Sequence, residues 1–175
     1  MPEPIIHFAV VLTSLTLLGV DLKRSLAASA ISTTPDLDIL LHIHRSMSHS
    51  LIFPLATIPV LYGLSRNRKV RGTTLLIMVA AYCSHIILDF FTGYTPLFWP
   101  LHPNSFWLLV QVDIHVSSIP TFTFTLKLLE KVAVEAYTPF VEAEGVVLSS
   151  EGFVVATLLI ALSLYRQRGF FKGRP

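Results

Sequence analysis

The sequence predicts an all-α fold, a polytopic membrane helical bundle with about four to six membrane-associated helices. Three observations predict it. Of the 175 residues, 53% are hydrophobic and 14% are charged, whereas soluble domains average about 25% charged residues. The mean hydropathy is +0.65. Several apolar runs also approach the roughly 20 residues that a helix needs to cross a bilayer.

Four apolar segments in the first half of the chain predict helices. Residues 5–20 lack the basic start and cleavage site of a signal peptide, so they are interpreted as a retained span. Residues 25–41 are a weaker candidate for a membrane helix, because they are rich in small and hydroxyl-bearing side chains. Residues 50–64 contain two prolines and predict a kinked helix, and residues 73–91 are the clearest span. Residues 92–107, rich in Gly, Pro and aromatic side chains, predict a loop or an interfacial belt.

The second half is less regular. Residues 106–129 are apolar but interrupted by a Gln, an Asp and a His, so we expect a re-entrant or interfacial segment. Residues 130–151 carry five glutamates and indicate a polar loop or a surface helix. The sequence therefore predicts one integral-membrane domain, residues 1–175. Its parts are a metal-site helical core (1–100), a loop or interfacial segment (101–151) and a final helix with a basic tail (152–175).

Basic residues cluster after the first span, after residue 64 and after the final apolar run. The positive-inside rule assigns such clusters to the cytoplasm. We therefore expect a protein integral to the cell (inner or plasma) membrane, with its N-terminus outside and membrane lipid as its partner. A net charge of +2 gives no reason to expect nucleic acid. The clusters are Lys23 and Arg24; Arg66, Arg68, Lys69 and Arg71; and Arg166, Arg168, Lys172 and Arg174.

Metal-capable side chains lie near the opposite ends of the predicted spans. His85 and Asp89 are four residues apart, so on a helix they share a face and can bind one cation. Two readings without a metal stay open: His85 and Asp89 can bond each other, and Asp36 can compensate a helix dipole. The set is His7, Asp36, Asp38, His44, His49, His85 and Asp89.

The residue types favour a zinc-like ion. Imidazole and carboxylate are common Zn²⁺ ligands, and catalytic zinc keeps a position for water. The single Cys83 excludes an internal disulfide and a closed thiolate site. The sequence contains no Gly-rich phosphate loop and no G-x-S-x-G motif. Metal-activated water is therefore the best chemistry that these residues offer.

Five motifs in order resemble the LexA-regulated, membrane-bound metal-dependent hydrolase family over residues 7–100. The family pattern is an early His, P-D-x-D, H-R-x-x-T-H-S, H-x-x-x-D and W-P. Ser46 occupies the first x of H-R-x-x-T-H-S, where the family usually has glycine, and Ser48 replaces the threonine. The same order is similar to zinc-dependent phospholipase C and P1-type nucleases, which are all-helical multi-zinc enzymes. The matching residues are His7, Pro35, Asp36, Asp38, His44, Arg45, His49, Ser50, His85, Asp89, Trp99 and Pro100.

The resemblance implies a membrane-embedded hydrolase that acts on a phosphoester or phospholipid-like substrate at the non-cytoplasmic side. It implies one or two divalent ions, preferably Zn²⁺, because further ligands of the phospholipase pattern have only loose counterparts here. Asp38 would orient or deprotonate water, Arg45 would hold an anionic group, and His44 would be a ligand or proton donor. The implied metal residues are His7, Asp36, Asp38, His49, His85 and Asp89, with His7 and Asp38 bridging ions or supporting the other ligands.

Two non-catalytic functions remain as alternatives. A structural or sensory metal would predict a coordinatively full site with no need for Arg45. An ion transporter would predict polar residues that continue through the membrane, yet the middles of the predicted spans carry almost none.

Overall fold

The computed structural model describes residues 3–42, 45, 47–64, 72–116, 120–132 and 148–172. The helices and strands follow one another in this order: α1 (Pro4–Leu17), α2 (Leu22–Ser32), two 3₁₀ helices (Thr34–Leu41 and Met47–His49), α3 (Ile52–Leu64), α4 (Gly72–Thr92), β1 (Asn104–His115), β2 (Thr121–Val132) and α5 (Ser150–Lys172).

The predicted all-α polytopic bundle is wrong on two counts. First, β1 and β2 form an antiparallel sheet of two 12-residue strands. Second, among the described residues one helix, α4, is long and apolar enough to cross a membrane. At 1.5 Å per residue its 21 residues span about 32 Å, whereas the 14 residues of α1 span only about 21 Å of a hydrocarbon core near 30 Å.

Local sequence explains where α2 begins and where the 3₁₀ helix after it ends. The helix α2 begins at an N-cap, because the Asp21 carboxylate accepts a hydrogen bond from the Arg24 backbone N–H at 3.1 Å. It is followed by the first 3₁₀ helix, Thr34–Leu41, which has Pro35 in its first turn and His42 as its C-cap. His42 has φ +56°, a left-handed conformation that stops the helix.

The hairpin forms where the sequence alternates strictly. The run Thr-Phe-Thr-Phe-Thr-Leu-Lys-Leu begins at Thr121 and has period two, which is typical of a strand with two different faces. Its register pairs Val112 with Phe124 and Gln111 with Thr125. The polar interruptions that suggested a re-entrant segment are therefore one face of a strand.

Small residues hold α1, α2 and α4 together. Val11, Ala28 and Ala81 form a buried cluster with one residue from each helix. The helix α5 packs against α1 at a polar contact, where the Ser163 hydroxyl donates to Thr13 Oγ1 at 2.9 Å. The Thr13 hydroxyl in turn donates to the Leu159 carbonyl at 2.9 Å. This arrangement brings α1 and the C-terminal half of α4 beside the two 3₁₀ helices.

Candidate metal centre

Three chain segments deliver two acids and two imidazoles to one place. The first 3₁₀ helix carries Asp36, the second ends at His49, and α4 carries His85 and Asp89 on consecutive turns. One ligand atom from each of these four residues lies within 4.8 Å of the other three. Three of the four side chains are buried, and Asp36 is 19% exposed.

The spacing of the ligand atoms matches a tetrahedral ion. Ligands about 2.0–2.2 Å from Zn²⁺ lie about 3.3–3.6 Å from one another in a tetrahedron. The Nε2 atoms of His49 and His85 are 3.3 Å apart. Asp36 Oδ1 is 3.7 Å from the first and 3.4 Å from the second. Asp89 Oδ2 is 3.3 Å and 3.9 Å from the same two atoms.

Buried polar atoms without a hydrogen bond support the same interpretation. Asp89 Oδ2, one of the four ring atoms, is buried and among the described residues accepts no hydrogen bond of good geometry, although Arg45 Nε lies 3.2 Å away. Asp36 Oδ2, the oxygen outside the ring, also lacks a hydrogen bond. Such atoms are costly unless something compensates them. A divalent cation supplies that compensation, so the residues present fit a metal ion.

Asp38 contacts His49 through Nδ1, the ring nitrogen that lies outside the ligand ring. Asp38 Oδ2 lies 3.2 Å from His49 Nδ1 and accepts a hydrogen bond from the Ser48 hydroxyl at 2.8 Å. A carboxylate on Nδ1 fixes the tautomer that leaves Nε2 free for a metal. The structure thus puts Asp38 outside the ring of four ligand atoms, where it orients one of the ligands.

Arg45 forms an ion pair with Asp89. Its Nε atom lies 3.2 Å from Asp89 Oδ2, and Nη1 and Nη2 donate to the Tyr94 carbonyl and the Thr92 hydroxyl. The guanidinium lies against Gly93, where an added Cβ would collide with Nη1. These contacts engage the guanidinium within the protein, and its side chain is only 11% exposed.

His7 completes the surroundings of the cluster. Its ring stacks on His85 with centroids 3.8 Å apart, and Nε2 lies 3.5 Å from Asp89 Oδ1. His7 is fully buried, and among the described residues neither ring nitrogen has a hydrogen-bond partner. Asp89 therefore faces His49 with one oxygen and His7 with the other.

Neighbouring ionisable groups shift the pKa values of His49 and Asp36, the two candidate ligands that lie outside α4. Burial lowers the pKa of His49, but hydrogen bonds with Asp36, Asp38 and Asp89 outweigh it and raise the pKa to about 10. Burial raises the pKa of Asp36, but the neighbouring His49 and His85 outweigh it and hold the pKa below its usual range. A proton on His49 therefore balances part of the negative charge of the surrounding carboxylates.

The structure brings together most of the sequence-predicted site. Asp36, His49, His85 and Asp89 form the ligand ring, His7 and Asp38 adjoin it, and His44 lies outside the described residues. Sequence reasoning did not assign roles to the Ser48 hydroxyl, which holds Asp38, or to Gly93, which admits Arg45. It also missed Tyr82, whose hydroxyl donates to the Ser48 carbonyl at 2.8 Å. The H-R-x-x-T-H-S comparison gave a signal for Ser48, since serine keeps the hydroxyl, whereas Gly93 and Tyr82 gave none. The roles of Asp38, His44 and Arg45 in catalysis stay predictions.

A family comparison identifies the chain. The model of the YdjM inner membrane protein family matches residues 3–170. The chain belongs to the YdjM inner membrane protein family. This confirms the family part of the resemblance and the membrane location, and it covers the hairpin and α5 as well as the metal-site region. No curated protein and no solved structure matches the chain.

Proposed function

We propose that this YdjM-family protein is a metal-dependent hydrolase of the inner membrane that acts on a phosphoester. Zn²⁺ or a similar divalent ion would be held by Asp36, His49, His85 and Asp89. The observation that carries the proposal is the ring of ligand atoms, which are 3.3–3.9 Å apart along the five measured edges. The ring includes Asp89 Oδ2, a buried atom without a hydrogen bond among the described residues, and a cation would compensate its charge together with Arg45.

The bound ion would lower the pKa of water and polarise a phosphoryl oxygen. The protein's own residues orient the ligands. Asp38 keeps the His49 tautomer, and Arg45 holds Asp89 in position. Both act through another residue, so in this proposal they are positioning residues.

The exposure of Asp36 indicates where substrate enters. Its side chain is 19% exposed, whereas the side chains of His49, His85 and Asp89 are at most 2% exposed. A substrate therefore approaches from the side of the first 3₁₀ helix. His85 and Asp89 lie in the last two turns of α4, the candidate span. That depth suits a phosphoester near the head groups of the membrane.

Charge around α4 supports an outward-facing site. The sequence immediately before α4 carries four basic residues, at positions 66, 68, 69 and 71. The positive-inside rule assigns that end to the cytoplasm. The opposite end, which carries His85 and Asp89, would then face the non-cytoplasmic side.

A second ion has a specific candidate position. His7 Nε2 and Asp89 Oδ1 are 3.5 Å apart, and these two side chains would hold the second ion. Two-metal hydrolases use such pairs to stabilise both the attacking and the leaving oxygen. One ion in the ring and a second beside His7 is therefore the upper count that we propose.

One observation favours a structural metal as the second candidate. The ring already offers four protein ligands, which is the usual number for a closed structural zinc site. Such a site would stabilise the junction between α4 and the two 3₁₀ helices without turning over a substrate.

Metal analysis combined with turnover tests both functions. The wild-type protein, His85→Ala and Asp89→Asn are purified in detergent without chelators, and bound metal is measured by mass spectrometry. The same samples are assayed on a soluble phosphodiester and on short-chain phospholipids. His115→Ala, an exposed histidine on β1, is the matched control.

We expect one or two equivalents of divalent ion and phosphoester hydrolysis in the wild type and His115→Ala. His85→Ala and Asp89→Asn should lose both. A wild-type protein without bound metal would refute the site. A stoichiometric, tightly bound ion without hydrolysis of any ester would support the structural metal instead.

A further inference from the structure

The hairpin has one continuous apolar face. Directly opposite residues of an antiparallel pair point to the same side, so the register aligns Val110, Val112 and Ile114 with their partners on β2. The side chains on this side are 46–72% exposed. This surface, here called the apolar face, consists of Val110, Val112, Ile114, Phe122, Phe124, Leu126 and Leu128.

The opposite face of the same stretch is polar. On this face, residues 111–115 of β1 and 121–127 of β2 present amide, carboxylate, imidazole, hydroxyl and ammonium groups, and Leu109 lies opposite Lys127 toward the base of the hairpin. Soluble monomers rarely expose a continuous apolar patch of this kind, so the apolar face calls for an apolar partner. The polar face consists of Gln111, Asp113, His115, Thr121, Thr123, Thr125 and Lys127.

The base of the hairpin is fixed to the end of the candidate span. Thr95 and Phe106 exchange two backbone hydrogen bonds of 2.9 Å. The Trp107 indole donates to the Phe91 carbonyl in the last turn of α4 and contacts the Tyr94 ring, 5.6 Å away. Trp and Tyr are typical of the membrane–water interface. The hairpin therefore starts at the level of the membrane surface.

The unpaired backbone groups at the two edges of the sheet limit how deeply the hairpin can enter the membrane. A two-stranded sheet leaves the outer N–H and C=O groups of both strands unpaired, and such groups are excluded from the hydrocarbon core. At the interface, water can satisfy them. The polar face also requires water, so a spanning orientation is excluded while a surface orientation satisfies both faces.

We propose that the apolar face of the hairpin lies on the lipid surface beside the end of α4, with the polar face in water. Its base is joined to the same end of α4 that carries the metal centre. A hairpin held on lipid therefore fixes the height of that centre relative to the head groups. This inference concerns membrane contact and does not depend on hydrolysis.

Single-cysteine labelling tests the inference residue by residue. In a Cys83→Ser background, Phe124→Cys and Leu126→Cys report on the apolar face. Thr123→Cys and Thr125→Cys, one residue away on the polar face, are the matched controls. Each variant is labelled with an environment-sensitive fluorophore, reconstituted in vesicles of phosphatidylethanolamine and phosphatidylglycerol, and quenched with nitroxide-labelled lipid. A single symmetric peak in size-exclusion chromatography in detergent, at the wild-type elution volume, reports that each labelled variant is folded.

We expect blue-shifted emission and quenching by the nitroxide lipid at positions 124 and 126, and neither at 123 and 125. Equal exposure to water at all four positions would overturn the proposal. Quenching on both faces would indicate an embedded hairpin and would also overturn it. Protection at 124 and 126 without lipid quenching, together with cysteine cross-links between copies, would show that a second copy covers the face.

Discussion

His49 and His85 place their Nε2 atoms 3.3 Å apart although 36 positions separate them in the chain. Two imidazole nitrogens at this distance repel each other unless a proton or a cation lies between them. Asp36 and Asp89 flank the pair on both sides. The pair therefore lies at the centre of the candidate cation site.

Removing the carboxylate behind His49 should weaken metal binding without destroying it. Asp38→Asn keeps the size of the side chain but no longer favours the His49 tautomer with a free Nε2. Losing such an outer partner typically costs about 10–100-fold in metal affinity. Competition with a fluorescent zinc chelator measures the change. Ser48→Ala should have a smaller effect, because Asp38 itself remains. An Asp38→Asn protein with wild-type affinity would contradict the positioning role.

Adding one methyl group beside Arg45 should disturb the Asp89 side of the site. In Gly93→Ala the new Cβ would collide with the Arg45 guanidinium, which has to move away from Asp89. We expect a loss of about 1–3 kcal/mol in the free energy of unfolding, as for other overpacked positions, together with weaker metal binding. Chemical denaturation in detergent and metal titration check both. Gly63→Ala is the control, since no atom lies within 4 Å of a Cβ there. Equal behaviour of the two variants would contradict the proposed contact.

Metal binding should depend on pH with a definite sign. The carboxylates around His49 raise its pKa to about 10 in the metal-free protein, so His49 carries a proton at neutral pH. A metal ion must displace that proton, and the apparent affinity should rise about tenfold per pH unit for each proton released. Zinc titrations between about pH 6 and 7.5 measure the slope. An affinity that does not change over this interval would show that His49 gives up no proton.

A larger, apolar side chain at the polar contact between α1 and α5 should lower the free energy of unfolding. Ser163 is fully buried and donates to Thr13, so Ser163→Val both removes a hydrogen bond and adds volume. We expect a loss of about 1–3 kcal/mol in the free energy of unfolding, measured by denaturation in detergent. Thr157→Val, on the exposed side of α5, should change stability by less than about 0.5 kcal/mol. A neutral Ser163→Val would mean that α1 and α5 do not pack closely there.

The metal centre was more predictable than the fold. His85 and Asp89 at i and i+4, and the ordered motifs around Asp36 and His49, predicted the four side chains that the structure brings within 4.8 Å of one another. Ligand chemistry depends on residue type, which a sequence displays directly. The hairpin was missed because the polar residues at 111, 113 and 115 were interpreted as breaks in an apolar segment. The alternation of Thr and Phe from Thr121 to Thr125 was the available signal.

The sequence by itself determined the membrane character of this protein, the residue types of a candidate cation site and the helical spacing of His85 and Asp89. Only the tertiary structure decided that Asp38 lies behind His49, that Arg45 is engaged with Asp89, and that a hairpin extends from the end of α4. The physical reason is that composition and periodicity act within a segment. Which acids and imidazoles lie in the candidate ligand ring, and which ones contact those residues from outside, depends on distances between segments far apart in the chain.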